Sequence, residues 1–292
     1  MSNRCLVTGH RGYIGSHLVK ELKNIGCEVV GIDFAHDKQQ NLLHCLDSNP
    51  YYYSFKPEYI FHLACIPRVA YSVENPVLTM QNNVLATTKV LDFARKVGSK
   101  RVIYSGSSSV IGDGNGPSSP YGLQKLISEM ECKLYSELYG VDTVTLRYFN
   151  VYSPDQKAEG AYATAVSNFM HHIREGKSPF ITGNGEQRRD MANVKDVVSA
   201  NIFAMNKREK FNGQYYDVGT GDNISLNEIS KIVKEYFPNV EFTHVEPRKG
   251  DVFYTKADIS RIKELGWSPK IDIREGVEEC FSALQQELKK GE

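Results

Sequence analysis

Short apolar runs alternate with longer stretches of helical periodicity in the first half of the chain. Apolar segments at residues 5–8, 28–33, 59–64 and 101–105 predict strands, because each is short and nearly all apolar. Residues 75–97 place apolar side chains at spacings of three and four, which predicts a helix. Buried strands that alternate with helices favour a parallel sheet covered on both faces. The pattern therefore predicts a doubly wound α/β fold.

The pattern changes after residue 150. A long helix at 120–139 and a strand at 143–147 complete the first half. The second half has shorter segments between glycine-containing turns, with helical stretches such as 226–236. We therefore predict a Rossmann-type nucleotide-binding domain over 1–150 and a smaller mixed α/β region over 151–292 that mainly binds substrate.

Composition narrows the functional class. Of the 292 residues 41% are hydrophobic and 24% charged, and 35 basic residues balance 35 acidic ones. A net charge of zero gives no general attraction to nucleic acid or to an anionic membrane. No apolar run reaches the roughly 20 residues of a membrane-spanning helix, and the N-terminal segment leaves no room for a signal peptide. The six cysteines lack metal-site spacing. We expect a cytoplasmic protein without a metal site.

A glycine-rich sequence follows the first predicted strand. Gly9, Gly12 and Gly15 stand in TGHRGYIG, between a strand and a helix. Glycine there permits a tight turn, the approach of a pyrophosphate and close packing of helix on strand, and the helix N-terminus offers N–H groups to phosphate. Asp33 ends the next strand, where a carboxylate binds ribose hydroxyls and disfavours the 2′-phosphate of NADP. The loop predicts an NAD site, although Arg11 could pair with a 2′-phosphate.

A tyrosine and a lysine follow in the second long helix. Tyr121 and Lys125 are four residues apart and therefore share a helix face. An ammonium group beside a phenol favours phenolate, and a positively charged nicotinamide adds to this effect. The pair can then act as a general acid and base beside a hydride acceptor. A serine from the run at 105–109, which ends a predicted strand, can hydrogen-bond the same substrate oxygen.

These features together resemble the extended short-chain dehydrogenase/reductases, specifically the NAD-dependent sugar epimerase/dehydratase family. The similarity runs nearly end to end and includes TGHRGYIGSHL, FHLAC, QNNV, SGSSSVIGD, SPYGLQK, LRYFNVY, GNGEQRRDM and EPRKGDV. Within the family the chain is most similar to the UDP-hexose 4-epimerases, including those that act on N-acetylhexosamines. The resemblance implies NAD as cofactor, a UDP-sugar as substrate, and Ser107, Tyr121 and Lys125 as the catalytic set.

The resemblance also assigns binding residues. The NAD site would comprise the glycine-rich loop, the acidic strand end, the segment after the third strand and four later positions: Gly9, Gly12, Tyr13, Ile14, Gly15, Asp33, Leu63, Ala64, Cys65, Asn82, Tyr121, Lys125 and Phe149. The nucleotide sugar would contact Ser107, Asn150, Arg189, Arg248, Asp251 and Thr255. Thr255 stands where related epimerases of plain hexoses have a tyrosine, and smaller residues there go with tolerance of an N-acetyl group. Relatives pair two helices per subunit, here 75–97 and 120–139, so the resemblance implies a homodimer.

The implied reaction is epimerisation at C4 through a transient 4-keto sugar, with Tyr121 exchanging the O4 proton. A 4,6-dehydratase is the nearest alternative, but related dehydratases carry Asp-Glu where this chain has Ser108 and Ser109. A glucuronate epimerase or a decarboxylase stays open, because Arg68 is unassigned and an arginine can select a carboxylate. A non-catalytic NAD-binding scaffold is disfavoured by the intact catalytic set.

Two segments are shorter than in the family. Between Asp33 and the strand at Tyr59 there is little room for the usual helix, strand and helix. We expect residues 44–47 to supply a remnant strand and an adenine contact. The segment between Ser107 and Tyr121 is also short, which predicts a more open active-site mouth.

Overall fold

The apolar segments of the first half form one sheet. The structure, a computed structural model, describes residues 2–112, 114–156, 164–246 and 252–291. The strands of this sheet are β1 (Arg4–Thr8), β2 (Glu28–Ile32), β3 (Tyr59–His62), β4 (Arg101–Ser107), β5 (Thr143–Tyr148) and β8 (Tyr215–Val218), in the order β2-β1-β3-β4-β5-β8. The pairings among β1 to β5 are parallel.

Helices connect these strands. They are α1 (Tyr13–Asn24), α2 (Cys45–Ser48), α3 (Pro50–Phe55), α4 (Val69–Glu74), α5 (Pro76–Met80), α6 (Ala86–Val97) and α7 (Pro120–Tyr139), with a π-helical turn (Gln81–Leu85) that joins α5 to α6. One buried cluster packs the sheet against α6 and includes Leu6, Ile60, Leu91 and Val102. Parallel strands joined by helices confirm the predicted doubly wound α/β class.

Helix α7 carries Tyr121 and Lys125, and its ends are specified locally. The Ser119 hydroxyl accepts a hydrogen bond from the Gly122 N–H, and Pro120 occupies the first turn. Gly140 ends the helix at a φ of 69°, a left-handed conformation that glycine adopts without penalty. The start of the helix therefore fixes the backbone that presents both side chains.

The chain divides into two compact units, and one segment departs from the predicted boundary. The first unit comprises Met1–Tyr148 and Val197–Asp217, and the second comprises Phe149–Asp196 and Val218–Glu292. The sequence pattern predicts a single division of the chain, at residue 150. Residues 197–217 instead return to the first unit, because they contain most of α9 (Val194–Asn206) and of β8, which extends the first sheet.

The second unit has short strands and longer helices. Its elements are α8 (Ala165–Arg174), β6 (Phe180–Thr182), β7 (Arg188–Arg189), β9 (Ile224–Ser225), α10 (Leu226–Tyr236), β10 (Thr243–Val245), α11 (Ser260–Glu264) and α12 (Ile273–Gly291). β6 pairs with β10 in parallel, and β7 pairs with β9 antiparallel. A second core includes Phe169, Ile232, Val277 and Phe281. The predicted mixed α/β character of this region is confirmed.

The expected remnant strand at 44–47 is wrong. Residues 45–48 form the short helix α2, which the preceding turn initiates through hydrogen bonds from His44 and Cys45 to the Asn41 carbonyl. Cys45 and Leu46 are buried. An extended strand would turn one of these two adjacent side chains to the opposite face, whereas a helical turn buries both.

Within residues 2–112, 114–156, 164–246 and 252–291, no helix is both long and apolar enough to cross a bilayer.

Candidate active site

The glycine-rich loop lies at the carboxyl end of β1, where the sheet changes direction. From β1 the chain proceeds to β2 on one side, while β3 occupies the other side. Gly9 has a φ of 70°, and a Cβ atom added to it would lie 2.9 Å from the backbone nitrogen of Ala64. A Cβ atom on Gly15 would overlap the Gly9 carbonyl. The loop thus lies at a topological switch point, where α/β folds bind nucleotides.

The first turn of α1 fits a diphosphate. Its N-cap residue, Gly12, has no side chain to cap it, and the turn contains no acidic residue. Tyr13 and Ile14 occupy its first two positions. Backbone N–H groups and the positive end of the helix dipole favour an anion at such a terminus.

Asp33 adjoins this loop. Its side chain is 7% exposed, and its two carboxylate oxygens accept hydrogen bonds from the backbone N–H groups of Arg11, at 3.0 Å, and Ala35, at 3.1 Å. A carboxylate has about four acceptor positions, so capacity remains for the hydroxyl groups of a ribose. The chain therefore has the donors and acceptors that the adenosine and diphosphate parts of NAD need.

The segment after β3 lies against the glycine-rich loop. The Leu63 N–H donates to the Thr8 carbonyl, and the Ala64 N–H donates to the Thr8 hydroxyl at 3.2 Å. These bonds place Leu63, Ala64 and Cys65 beside the end of β1. The first two predicted NAD contacts of this segment are thereby close to Gly9.

Buried His62, which the sequence argument missed, connects this segment to the helices. Its Nδ1 atom lies 2.7 Å from the Thr8 hydroxyl and its Nε2 atom 3.0 Å from the Thr87 hydroxyl. Because Thr87 donates its own proton to the Asn83 carbonyl, it must accept from Nε2–H, and Nδ1 accepts from Thr8. Burial lowers the pKa of His62 to about 3, and Lys125 contributes in the same direction. A polar residue inside the apolar strand segment was the available signal.

Asn82 and Asn83 have different environments. The predicted NAD contact, Asn82, donates from its amide to the Leu78 carbonyl of its own helix at 2.8 Å. Asn83 is 2% exposed; it accepts from the Ile66 N–H at 2.7 Å and donates to Gln124 at 2.8 Å. Asn83, which the sequence argument passed over, therefore ties the segment after β3 to α7.

The predicted catalytic side chains meet near the carboxyl end of β4. Lys125 is 3% exposed, and its ammonium donates to the Ser105 carbonyl at 2.7 Å. The same nitrogen lies 6.0 Å from the centre of the Tyr121 ring. The Ser107 hydroxyl accepts from the N–H and the hydroxyl of Ser109 at 3.2 and 2.9 Å.

The charge states in this cluster follow from burial and from neighbouring groups. Burial raises the pKa of Tyr121 to about 12, although Lys125 and Ser107 oppose this rise. Burial alone would lower the pKa of Lys125, but interactions with Cys65 and Tyr121 raise it above its ordinary value. Lys125 is therefore an ammonium at neutral pH, and Tyr121 is a neutral phenol until further positive charge comes close.

The second unit contains the other predicted contacts. Phe149 is fully buried, with backbone bonds to Val218 and Ala192. Asn150 has a φ of 36°, and its amide donates to the Asp190 carbonyl at 2.7 Å.

Two further predicted contacts flank Asp190. The Thr255 hydroxyl accepts from the Asp190 N–H at 3.2 Å, and Arg189 immediately precedes Asp190. The structure thus brings Asn150, Arg189 and Thr255 together. Arg248 and Asp251 lie outside the described residues, and their assignment stays a prediction.

Comparison with known proteins identifies relatives along nearly the whole chain. Residues 5–219 match the model of the NAD dependent epimerase/dehydratase family. A putative UDP-glucose 4-epimerase from Methanocaldococcus jannaschii is 34% identical over 96% of this chain and 98% of its own length. A UDP-N-acetyl-alpha-D-glucosaminuronate decarboxylase from Bacillus cytotoxicus is 29% identical over 98% and 99%. The crystal structure of the Thermotoga maritima UDP-glucose 4-epimerase with UDP-glucose has a TM-score of 0.89 at 31% identity, over 98% of this chain and 99% of that one.

Proposed function

Because the chain belongs to the NAD dependent epimerase/dehydratase family, we propose that it is an NAD-dependent 4-epimerase of UDP-hexoses or UDP-N-acetylhexosamines. The family and NAD as its cofactor, both predicted from the sequence, are thereby confirmed. The observation that carries the proposal is the cluster of buried Tyr121 and Lys125 with half-buried Ser107 near the carboxyl end of β4. A buried phenol beside an ammonium group suits proton exchange with a sugar hydroxyl.

The cofactor-binding part of the proposal uses residues of the first unit. The first turn of α1 would hold the diphosphate of NAD, and Asp33 would accept from the hydroxyl groups of its adenosine ribose. When bound, NAD supplies a hydride acceptor and donor for the sugar carbon. Lys125 adds positive charge near the carboxyl end of β4.

The proton-transfer part uses the catalytic cluster. Tyr121 would accept the proton of the sugar O4 hydroxyl as the carbonyl forms and return it when the carbonyl is reduced. Lys125 stabilises the phenolate by its charge, and Ser107 can donate a hydrogen bond to the same substrate oxygen. The 4-keto sugar would then be reduced on its opposite face, which inverts C4.

Elimination of water is not supported by the residues beside Ser107. The next two positions are Ser108 and Ser109, and the Ser109 hydroxyl donates to Ser107. Serine hydroxyls do not act as strong acids or bases near neutral pH. The 4,6-dehydratase alternative therefore lacks the additional acid and base that it needs.

A second candidate is epimerisation or decarboxylation of a UDP-hexuronate. The decarboxylase relative from Bacillus cytotoxicus favours it. Arg68 is exposed and lies three residues after Cys65, and an arginine suits bidentate binding of a carboxylate. Incubation with UDP-glucuronate distinguishes the two candidates. Decarboxylation releases carbon dioxide and gives a pentose product, epimerisation gives the C4 epimer of the hexuronate, and an enzyme restricted to UDP-hexoses gives neither product.

Removal of the phenolic hydroxyl tests the main proposal. Tyr121→Phe should interconvert UDP-glucose and UDP-galactose about 10²–10⁴-fold more slowly, the usual contribution of a general acid or base, while NAD and UDP still bind. Tyr135→Phe removes a hydroxyl from the same helix, outside the cluster, and is the matched control. Product chromatography measures the rate, and near-normal turnover of Tyr121→Phe would overturn the assignment.

We also propose that the chain forms a homodimer through α5 to α7. Helix α7 has an apolar stripe of side chains that are between 46% and 63% exposed, namely Leu123, Met130, Leu134 and Leu138. Val77 on α5 is 72% exposed. Apolar side chains at this spacing lie on one helix face, as expected where helices of two subunits pack.

A further inference from the structure

The carboxylate of Asp190 is a buried hydrogen-bond centre in the second unit. It is inaccessible to solvent. One oxygen accepts from the N–H and the hydroxyl of Thr220, both at 2.8 Å, and the other accepts from the N–H groups of Gly221 at 2.9 Å and Ala257 at 3.0 Å. Burial raises the pKa of Asp190, while these hydrogen bonds oppose the rise. One side chain thus ties the turn at 219–222 to the segment at 255–257.

The backbone of Asp190 holds predicted substrate contacts at the same point. Its carbonyl accepts from the amide of Asn150 at 2.7 Å, and its N–H donates to the carbonyl of Thr255 at 3.0 Å. The Thr255 N–H in turn donates to the Arg188 carbonyl at 3.1 Å. The residues on both sides of Arg189 are therefore hydrogen-bonded to Thr255, the residue predicted to determine tolerance of an N-acetyl group.

Arg188, which precedes Arg189, has a structural role. The Arg188 guanidinium donates to Asn223 at 2.7 Å and pairs with Glu228 at 2.8 Å. Successive side chains of a strand point to opposite faces, so Arg189 is directed away from the face that holds Arg188. Asp190 and Arg188 anchor the segment, which leaves the Arg189 side chain on the other face.

We propose that Asp190 is a positioning residue for UDP-sugar binding. Its carboxylate fixes the turn at 219–222 and the segment at 255–257 against the strand end that carries Arg189, so that Arg189, Asn150 and Thr255 keep one arrangement. The inference rests on the proposed function, because that function makes these residues contacts of the nucleotide sugar. Preorganised contacts bind more tightly, since little ordering remains to be done on association.

Asp190→Asn tests the proposal with little change of shape. An amide has one acceptor oxygen and a donor group in place of the second, so two of the four present donors lose their partner. We expect calorimetry to show UDP binding weakened on the order of 10–100-fold, as for a misplaced binding group, and NAD binding unchanged. In turnover the KM for the UDP-sugar should rise more than kcat falls.

Two further variants separate positioning from general destabilisation. Asp196 is 3% exposed and accepts from the N–H groups of Lys270 and Ile271, both at 3.0 Å, in the same unit. Asp196→Asn makes the same chemical change away from the predicted contacts and should leave UDP binding intact. Gly219→Ala would place a Cβ atom 2.8 Å from an Asp190 carboxylate oxygen and 2.6 Å from the Ala257 Cβ atom. It should weaken UDP binding although Asp190 is kept.

The outcomes distinguish the inference from the function beneath it. If the unaltered protein binds NAD but not UDP, the proposed function and the inference both fall. If it binds UDP, and Asp190→Asn and Gly219→Ala bind UDP equally well, the inference alone is overturned. Equal weakening by Asp190→Asn and Asp196→Asn would also overturn it, because the loss would then come from general destabilisation. Selective weakening by Asp190→Asn and Gly219→Ala supports it.

Discussion

The neutral imidazole of His62 should make the stability of this protein depend on pH. His62 is 1% exposed, and its two ring nitrogens are already engaged by Thr8 and Thr87. Burial, with a smaller effect of Lys125, lowers the pKa of His62 to about 3. The unfolded chain restores a pKa of about 6.5. Between these two values the unfolded state binds a proton that the folded state does not.

The sign and the magnitude follow from proton linkage. Because the unfolded state binds more protons in this range, the free energy of unfolding falls as the pH is lowered from about 6.5 toward 3, at a limiting slope of about 1.4 kcal/mol per pH unit. Between pH 7 and pH 5 the loss due to His62 is about 2 kcal/mol. This figure depends on the unfolded pKa and hardly on the folded value, since both pH values lie well above 3.

Urea unfolding at pH 7 and pH 5 measures the effect. His62→Gln keeps hydrogen-bonding capacity but does not titrate, so its free energy of unfolding should fall by about 2 kcal/mol less than that of the unaltered protein between these pH values. Far-UV circular dichroism follows the transition in both. The exposed His36 provides the control, because His36→Gln should keep the full pH dependence.

Parallel behaviour of the unaltered protein and His62→Gln would refute the argument. So would direct titration of the His62 ring by nuclear magnetic resonance with a midpoint above about pH 6, because a folded pKa that close to the unfolded value leaves little linkage. A midpoint in that range would mean that the Thr8 hydroxyl reorients to accept the second proton, which is on Nδ1.

Three further predictions concern the cofactor, the assembly and the sugar. Asp33→Ala should weaken NAD binding and narrow its advantage over NADP in calorimetry; equal binding of both cofactors by the unaltered protein would contradict this. Light scattering should give about twice 32.9 kDa, and Met130→Lys should yield monomers whereas Tyr51→Lys, at another exposed apolar site, should not. Thr255→Tyr should abolish kcat/KM for the acetylated UDP-sugars selectively, because the ring fills the space of the N-acetyl group. Equal losses of kcat/KM for the acetylated and the plain UDP-sugars would show that Thr255 does not determine this specificity. A selective loss for the acetylated sugars in the Thr255→Val control, whose side chain is small, would show the same.

Elements with strong local signals could be predicted closely. Helix α10 begins after Ser225, whose hydroxyl and the Glu228 carboxylate form a reciprocal capping box, and the predicted range 226–236 agrees with the structure. Helix α7 likewise has the predicted range 120–139. In both helices, residues close to each other in the chain provide the hydrogen-bond acceptors for the first backbone N–H groups. Neighbouring residues therefore determine where each helix begins.

Elements that depend on distant contacts could not be predicted in this way. The segment 197–217 returns to the first unit because β8 forms the edge of the six-stranded sheet. The local sequence of a short strand does not indicate which sheet the strand joins. In the shortened segment after Asp33, Leu42, Cys45 and Leu46 have helical spacing, yet the family pattern favoured a strand. The packing of these side chains in the core of the first unit determines that the segment is helical.

The proton affinity of Tyr121 depends on burial, which the sequence does not show. The spacing to Lys125 predicts that an ammonium and a nicotinamide cation together favour the phenolate. Burial acts in the opposite direction and raises the pKa of Tyr121 to about 12 despite the ammonium. Spacing along a helix indicates which side chains share a face, but it does not indicate how deeply the fold buries them. Because burial outweighs the effect of Lys125 on Tyr121, a second positive charge near the ring would favour the phenolate further. An oxidised nicotinamide carries that charge, so the basicity of Tyr121 would depend on the presence of the oxidised cofactor.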